Sequence, residues 1–324
     1  MMNKVAVCCA ECGKEEDEGG VVNLKTCKGC MLVKYCNVTC QTKHWSTHKS
    51  ACKEHAAELR DEALFKDPPS KEDCPICCLP MPVLLISFVS LPPATISSVP
   101  IHDFAVAHEE LAKSHSDHYY SCCGKSICGG CVHSFQMTGN DGKCPFCNSD
   151  RGNKSHEEIV EEMRKRVAAN DANSICELGG YYYGGAFGLQ QDRAKAIELY
   201  ARAAELDHHN AHINLADVYH EGGNLKKAKF HYEAAAMAGD DVSRCNLGVM
   251  EARSGNMERA IKHWEIAASA GHFRSMNNLR ILFQEGGVSR ETIDSILAAY
   301  NSSCAEMRSK PRDVCVRRMK NLLN

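Results

Sequence analysis

The sequence predicts a multidomain protein in which two small cysteine-rich fingers precede an all-α solenoid of helix-pair repeats. Seventeen of the 21 cysteines lie within the first 150 of the 324 residues, and most form Cys-x-x-Cys or Cys-x-x-x-Cys pairs. Two such pairs complete a tetrahedral zinc site and leave no position open for catalysis. The second half repeats leucine, alanine and aromatic residues every 32 positions, a period typical of stacked helix pairs.

Composition and charge exclude several classes of protein. The net charge of −3 gives no long-range attraction to nucleic acid or to anionic membranes, so neither is an expected partner. The longest apolar stretch, Met81 to Leu91, contains a proline and is too short to span a bilayer. The first residues carry no signal-peptide pattern, so we expect a cytoplasmic or nuclear protein whose thiols bind metal and do not form disulfides.

The first cluster has eight candidate ligands: Cys9, Cys12, Cys27, Cys30, Cys36, Cys40, His48 and Cys52. The Cys36/Cys40 and His48/Cys52 pairs are four residues apart, a spacing that predicts a short helix presenting each pair on one face. A segment of about 45 residues buries too little apolar surface to fold alone. Two structural zinc ions can supply the missing stability.

With Tyr35, Gln41, His44 and Trp45 in their expected places, this segment resembles the MYND finger. The resemblance implies two interleaved zinc sites, one held by Cys9, Cys12, Cys36 and Cys40, the other by Cys27, Cys30, His48 and Cys52. It also implies that Gln41 and Trp45 line a groove for short proline-containing peptides. The alternative is that Trp45 only packs against its helix. Cys8 remains a spare thiol.

A charged stretch, Lys53 to Lys71, predicts a helix followed by a linker that contains Pro68 and Pro69. The second cluster then supplies eight cysteines, enough for two more zinc ions: Cys74, Cys77, Cys122, Cys123, Cys128, Cys131, Cys144 and Cys147. Four zinc ions are therefore expected in the chain.

The order SCCGKSICGGC resembles the C4C4 type of RING finger, so both fingers are expected to be irregular α+β folds of the treble-clef or cross-brace kind. The resemblance implies one site of Cys74, Cys77, Cys128 and Cys131, and a second of Cys122, Cys123, Cys144 and Cys147. An alternative pairs Cys123 with Lys125. A lysine is protonated near neutral pH and is a poor ligand, which favours the adjacent cysteines.

RING fingers position a ubiquitin-conjugating enzyme, and the resemblance assigns that contact to Ile76 and Pro145. Three features depart from the pattern. The loop between Cys77 and Cys122 is long, the expected aromatic residue has only Phe135 as a candidate, and Asn148 stands where an arginine is frequent, with Arg151 further along. A zinc-stabilised docking surface without ligase activity is the rival interpretation.

The long loop carries its own signals. Residues 83–90 favour a strand, and Phe104 to Lys113 favour a helix. The histidines of this loop are His102, His108, His115 and His118. They lack the spacing of metal ligands and are expected to be surface residues, with His118 as a backup ligand.

The second half resembles Sel1-like repeats, relatives of the tetratricopeptide repeat. The first unit reads LGGYYYGG (178–185) and GLQQDRAKAIELYARAAE (188–205), and the fourth loses its alanines and is expected to be a cap. An amphipathic helix is predicted from Glu157 to Ala169.

The predicted domains are 1–52 (first finger), 53–73 (helical linker), 74–150 (second finger with insertion 78–121), 151–170 (linker helix), 171–300 (solenoid) and 301–324 (helical cap or tail).

The combination predicts a protein-interaction adaptor whose solenoid or first finger holds a protein substrate. The second finger is expected to recruit a conjugating enzyme, which would make the protein a RING-type ubiquitin ligase. The alternative is a scaffold in which all zinc is structural. The sequence offers no candidate catalytic residues, because a RING finger acts by holding its partners close together.

Overall fold

The computed structural model describes residues 8–15, 23–69, 73–78, 117–307 and 309–310. The chain divides into two compact units, Met1–Lys66 and Asp67–Asn324. The strand and helix expected in the long loop, with His102, His108 and His115, lie outside the described residues.

The first unit consists of a short hairpin and a long helix. Strand β1 (Lys25–Thr26) pairs antiparallel with β2 (Lys34–Tyr35), and helix α1 runs from Val38 to Phe65. The helix begins where the Asn37 side chain accepts a hydrogen bond from the Cys40 N–H at 2.9 Å. The expectation of two short helical ligand pairs is therefore wrong. One helix of 28 residues carries Cys40, His48 and Cys52, and Cys36 precedes its N-cap.

The absence of glycine and proline between residues 38 and 65 explains the length of α1. Nothing in that stretch ends the helix at Cys52, where the ligands end. It stops at Phe65, shortly before Pro68.

The second finger opens the second unit. Strand β3 (Asp117–Tyr120) pairs antiparallel with β4 (Lys125–Cys128), and helix α2 (Gly129–Gln136) follows directly. The buried residues of this finger are mostly ligand cysteines, together with Tyr120, Ile127 and Val132.

The remaining helices form an all-α stack of helix pairs, as predicted. Helices α3 to α11 span His156–Ala168, Ala172–Gly184, Arg193–Ala204, His209–Glu221, Leu225–Met237, Asp241–Arg253, Met257–Ser269, Phe273–Gln284 and Arg290–Glu306. Helix α3 precedes four repeats: α4/α5, α6/α7, α8/α9 and α10/α11. A capping box between Ser155 and Glu158 fixes the start of α3, and Ile159 and Met163 are buried.

The repeating core explains the 32-residue period. The recurring leucines of the first helices and the recurring alanines and aromatic residues of the second helices are all buried: Leu215, Leu247, Leu279, Ala196, Ala228, Ala260, Tyr200, Tyr232 and Trp264. Small residues let the two helices of a pair approach closely. A Cβ atom on Gly248 would lie 2.4 Å from the Trp264 indole nitrogen, and one on Gly179 would lie 2.7 Å from Tyr200.

The second finger packs directly on α3 and α4. The Arg166 guanidinium donates to the backbone oxygens of Ser121 and Cys122, the latter at 2.9 Å, and lies 3.3 Å from the Asp171 carboxylate. Asp171 in turn caps α4. The Tyr119 hydroxyl lies 2.5 Å from Ser174 Oγ, and its ring packs against the core of the first repeats. The finger thus covers the first end of the helix stack.

None of the helices in the described ranges is both long enough and apolar enough to cross a lipid bilayer.

Candidate metal centres

The structure gathers sixteen donor side chains into four quartets, in each of which all ligand atoms lie within 4.8 Å of one another. The quartets are Cys9/Cys12/Cys36/Cys40, Cys27/Cys30/His48/Cys52, Cys74/Cys77/Cys128/Cys131 and Cys122/Cys123/Cys144/Cys147. Both fingers share one connectivity: the first ligand pair joins the third, and the second joins the fourth. This interleaving ties distant chain segments together twice in each finger.

The donor distances fit zinc. Tetrahedral zinc with Zn–S bonds of about 2.3 Å places neighbouring sulfurs about 3.8 Å apart. Sulfur–sulfur distances are 3.6 Å for Cys12–Cys36, 3.7 Å for Cys27–Cys52, 3.8 Å for Cys74–Cys131 and 3.6 Å for Cys123–Cys144. These separations are far longer than a disulfide bond. Because four protein donors close each site, the zinc that they fit is structural.

Four of the ligand pairs share one turn geometry. In these four Cys-x-x-Cys segments the residue after the second cysteine has a positive φ, and its N–H donates to the carbonyl oxygen of the first cysteine at 2.8–3.0 Å. These closing residues are Gly13, Met31, Cys78 and Asn148. The left-handed conformation suits glycine and asparagine, and it turns the two sulfurs toward one point. Cys78, a spare thiol in the sequence, therefore closes a turn.

Three of these turns stabilise a thiolate at their first cysteine, whereas burial outweighs the backbone donors at Cys144 and raises its pKa. Burial alone would raise the pKa of the Cys9 thiol, but hydrogen bonds from the backbone N–H groups of Cys12, Cys36 and Glu11 outweigh it and lower the pKa to about 6. Backbone donors likewise lower the pKa of Cys27 to about 6 and that of Cys74 to about 7, against the effect of burial. Such preformed thiolates favour metal binding, since zinc binds the deprotonated sulfur.

Two aromatic side chains hold the histidine ligand of the first finger. Cys30 Sγ lies 3.3 Å from His48 Nε2. The His44 ring stacks on His48 at 5.3 Å, and the buried Tyr35 hydroxyl lies 2.9 Å from His44 Nδ1. Tyr35 and His44 therefore fix the ring that supplies Nε2 to the quartet.

The first finger and the helix pairs match known families. Residues 9–52 match the MYND finger, and residues 172–208, 209–240 and 245–272 match the Sel1 repeat. Residues 9–52 are a MYND finger. A SET and MYND domain-containing protein of Dictyostelium discoideum is 47% identical over 53 residues, which cover 15% of this chain and only 9% of that relative.

Two solved structures are similar to about half of this chain. The Sel1 repeat protein of Oxalobacter formigenes is 21% identical over 54% of this chain and 71% of its own, with a TM-score of 0.42. A protective antigen of uropathogenic Escherichia coli with an SLR fold is 18% identical over 59% of this chain and 44% of its own, with a TM-score of 0.38.

The MYND helix exposes an apolar face beside its zinc ligands. Trp45 is 40% exposed although its ring meets the buried His48 edge-on at 6.4 Å. Gln41 lies one turn earlier and is half-buried, and Val38 is 74% exposed. Trp45 therefore packs on the finger with one side of its ring and offers the other side to solvent.

The second finger places its two expected contact residues in separate ligand turns. Ile76 is 46% exposed between Cys74 and Cys77, and Pro145 is half-buried between Cys144 and Cys147. Arg151, further along than the arginine frequent in active RING fingers, lies over the Tyr120 ring at 4.8 Å. The Lys125 ammonium lies over Phe146 at 4.9 Å, which accounts for it without a role at the metal. His118 is exposed on β3 and outside the quartets.

The spacing of the ligands did not predict the turn-closing residues or the contact between Arg166 and the second finger. The positive φ at Gly13 and Asn148 had a local signal, because glycine and asparagine are the residues that accept it. Met31 and Cys78 carry no such signal. Arg166 lies 44 residues from Cys122, and no spacing rule links an arginine to a backbone oxygen at that distance.

Proposed function

We propose that the protein is a zinc-organised adaptor that binds other proteins through the face of its MYND finger and through its helix stack. The proposal depends on one observation: each of the four candidate zinc sites has four protein ligands. Zinc bound in such a site has no open position and is structural. The exposed Trp45 and the Sel1 repeats supply surfaces of the kind that protein partners use. Sixteen zinc-binding donors of this kind suit a reducing compartment, the cytoplasm or the nucleus.

We further propose that the second finger recruits a ubiquitin-conjugating enzyme, with Ile76 and Pro145 as the contacts and a protein substrate held by the stack or the MYND finger. The exposure of Ile76 and its position in a rigid ligand turn support this role. The finger would contribute proximity and no covalent step.

Ubiquitin transfer tests the proposal directly. Full-length zinc-loaded protein is incubated with activating enzyme, a panel of conjugating enzymes and ubiquitin, and chain formation is followed on gels. We expect self-modification that Ile76→Ala reduces at least tenfold. The matched control is Leu297→Ala, which also shortens a similarly exposed aliphatic side chain but on α11, and it retains activity.

A scaffold without ligase activity is the second candidate function. Two observations favour it: Asn148 occupies a left-handed turn where active RING fingers frequently carry an arginine, and Arg151 is stacked on Tyr120. Absence of chains with every conjugating enzyme, together with four bound zinc ions, would establish the scaffold and overturn the ligase.

The MYND face is proposed to bind short proline-containing peptides through Gln41 and Trp45. A peptide array followed by calorimetry on the best binder measures the effect of Trp45→Ala, which we expect to weaken binding at least tenfold because the largest exposed ring is lost. Lys53→Ala, an exposed change on the same helix, is the control. Equal affinity of both variants would exclude Trp45 from the binding surface.

A further inference from the structure

The repeats provide internal comparisons for each position of the stack. Each repeat contains one pair of equivalent positions. The first position lies four residues after the N-cap of the first helix, and the second lies seven residues after the N-cap of the second helix. In the second repeat the N-caps are residues 208 and 224, so the positions are 212 and 231. The pairs are Ile175/Leu199, His212/His231, Arg244/His263 and Met276/Ile296. The outer repeats thus carry apolar residues where the inner repeats carry polar ones.

The apolar pairs show what the fold itself requires at this position. Ile175 and Leu199 belong to the buried core of the first repeats, and Ile296 belongs to the core of the last. In the third repeat the Arg244 guanidinium donates to the Ala236 backbone oxygen at 2.8 Å, so the protein itself satisfies that charge. The second repeat instead places two histidines here, and the His231 ring also stacks on Tyr219 and meets Phe230 edge-on.

The two imidazoles of the second repeat face each other closely. His212 Nδ1 and His231 Nδ1 lie 3.0 Å apart, and the ring centroids lie 5.3 Å apart. Both side chains are half-buried, so the pair is held by the helices and is still open on one side. The separation of 3.0 Å is that of an N–H···N hydrogen bond between two neutral imidazoles. It also equals the spacing of neighbouring nitrogens at right angles around a metal with bonds of about 2.1 Å, which is about 3.0 Å.

We propose that His212 and His231 form a site for a divalent transition metal, distinct from the four cysteine quartets. His209 lies one turn before His212 on α6 and is half-buried, and its ring stacks on His208 at 5.7 Å, so it would have to leave that contact to supply a third imidazole. Asp207 is exposed immediately before this helix and brings a carboxylate to the same side. Imidazole nitrogen is the donor that nickel, copper and zinc accept in common.

The protonation state supports the assignment. Burial lowers the pKa of His212, opposed by the charge of Asp207 and reinforced by that of His209. Burial, with His212 and Lys227 adding to it, lowers the pKa of His231 to about 4. Both rings are therefore neutral at neutral pH, and the neutral imidazole is the form that binds metal.

Nickel binding to the full-length protein tests the site. Protein carrying four zinc ions is titrated with Ni²⁺, and calorimetry and native mass spectrometry record the affinity and the number of both metals. We expect one nickel ion to bind without loss of zinc. His212→Ile combined with His231→Leu installs the residues of the first repeat, and it should weaken nickel binding at least tenfold while the helical circular dichroism is retained.

His231→Gln provides a milder second variant, since it keeps a polar side chain and removes the imidazole. It should lose nickel affinity to a similar degree. His220→Ala, on the same helix as His212, is the control and should bind as the unchanged protein does. Nickel binding that survives both site variants, nickel that enters only by displacing zinc, or no binding at millimolar nickel would overturn the proposal.

Discussion

The fingers and the helix stack reach a defined structure by different physical means. The buried residues of the first finger are mainly ligand cysteines, with Leu24 and Tyr35 as the apolar remainder. The stack buries a regular layer of leucine, alanine and aromatic side chains. Metal therefore determines the fold of one region and apolar packing that of the other, and the two meet where Arg166 contacts Cys122.

Removing the zinc should unfold the fingers and leave the helix stack folded, and this is the largest effect that we expect. A structural zinc contributes about 10–16 kcal/mol of apparent binding free energy, which exceeds the stability of an ordinary domain. We expect a strong chelator to unfold both fingers, while the third repeat keeps its helices because its core contains no metal ligand. Hydrogen exchange resolved by segment measures this. Full exchange of α8 and α9 after chelation would show that the stack also depends on zinc.

Replacing Arg166 tests the junction between the regions. Arg166→Ala removes the donor to two backbone oxygens of the second finger and the partner of Asp171, and hydrogen bonds from charged groups contribute about 1.5–3 kcal/mol. Since Arg166 is partly exposed, we expect a loss of about 2 kcal/mol. Denaturant unfolding should show it, with faster exchange in α4.

Arg164→Ala is the control for that change. Arg164 lies on the same helix and is more than half exposed. It approaches the exposed Glu161 at 3.9 Å and contacts the Tyr182 hydroxyl, neither of which belongs to the second finger. It should be nearly neutral. If both variants lose the same stability, the contact with the finger contributes nothing specific.

Adding one methyl group at Gly248 tests packing within the stack. The new Cβ would lie 2.4 Å from Trp264, so the indole must shift, and overpacking of a core costs about 1–3 kcal/mol. The better helix propensity of alanine returns up to about 1 kcal/mol. Thermal unfolding should therefore show a net loss of up to about 2 kcal/mol for Gly248→Ala.

The second repeat supplies the comparison for this change. Ala216 holds the position equivalent to Gly248, eight residues after the N-cap, and the smaller Tyr232 holds the position equivalent to Trp264; both are fully buried. Combining Gly248→Ala with Trp264→Tyr should recover part of the lost stability. An unchanged melting temperature in the single variant would mean that the indole moves aside without cost.

Local rules predicted both regions well, and long-range contacts escaped them. Ligand spacing and the 32-residue period are local signals, so the cysteine sets and the helix pairs could be read from the sequence. The grouping of ligands into interleaved quartets came from family resemblance. The sequence predicted short helices at the ligand pairs and another helix from Lys53 onward, and the structure joins them in α1 because no helix-breaking residue lies between 38 and 65.

The smallest expected effect concerns a histidine within the stack. His263 is fully buried, and burial, with the positive charges of Arg244, Arg259 and Lys229 outweighing Glu251, lowers its pKa to about 3. In the unfolded chain the same group takes up a proton near its ordinary pKa of 6.5. Unfolding therefore binds a proton between pH 6.5 and 3, and stability falls as the pH falls through that window, by up to about 1.4 kcal/mol per pH unit.

His263→Leu installs the residue that the first repeat carries at this position, Leu199, and removes the titrating group. The zinc quartets also take up protons in acid, but they do so equally in both proteins, so the difference between the two curves isolates His263. Urea unfolding at pH 7, 6 and 5 measures the free energy of unfolding of both proteins. The free energy of the His263→Leu variant should rise relative to that of the unchanged protein at each lower pH. Parallel curves would mean that His263 takes up its proton at the same pH in the folded stack as in the unfolded chain, and would overturn the effect of burial on its pKa.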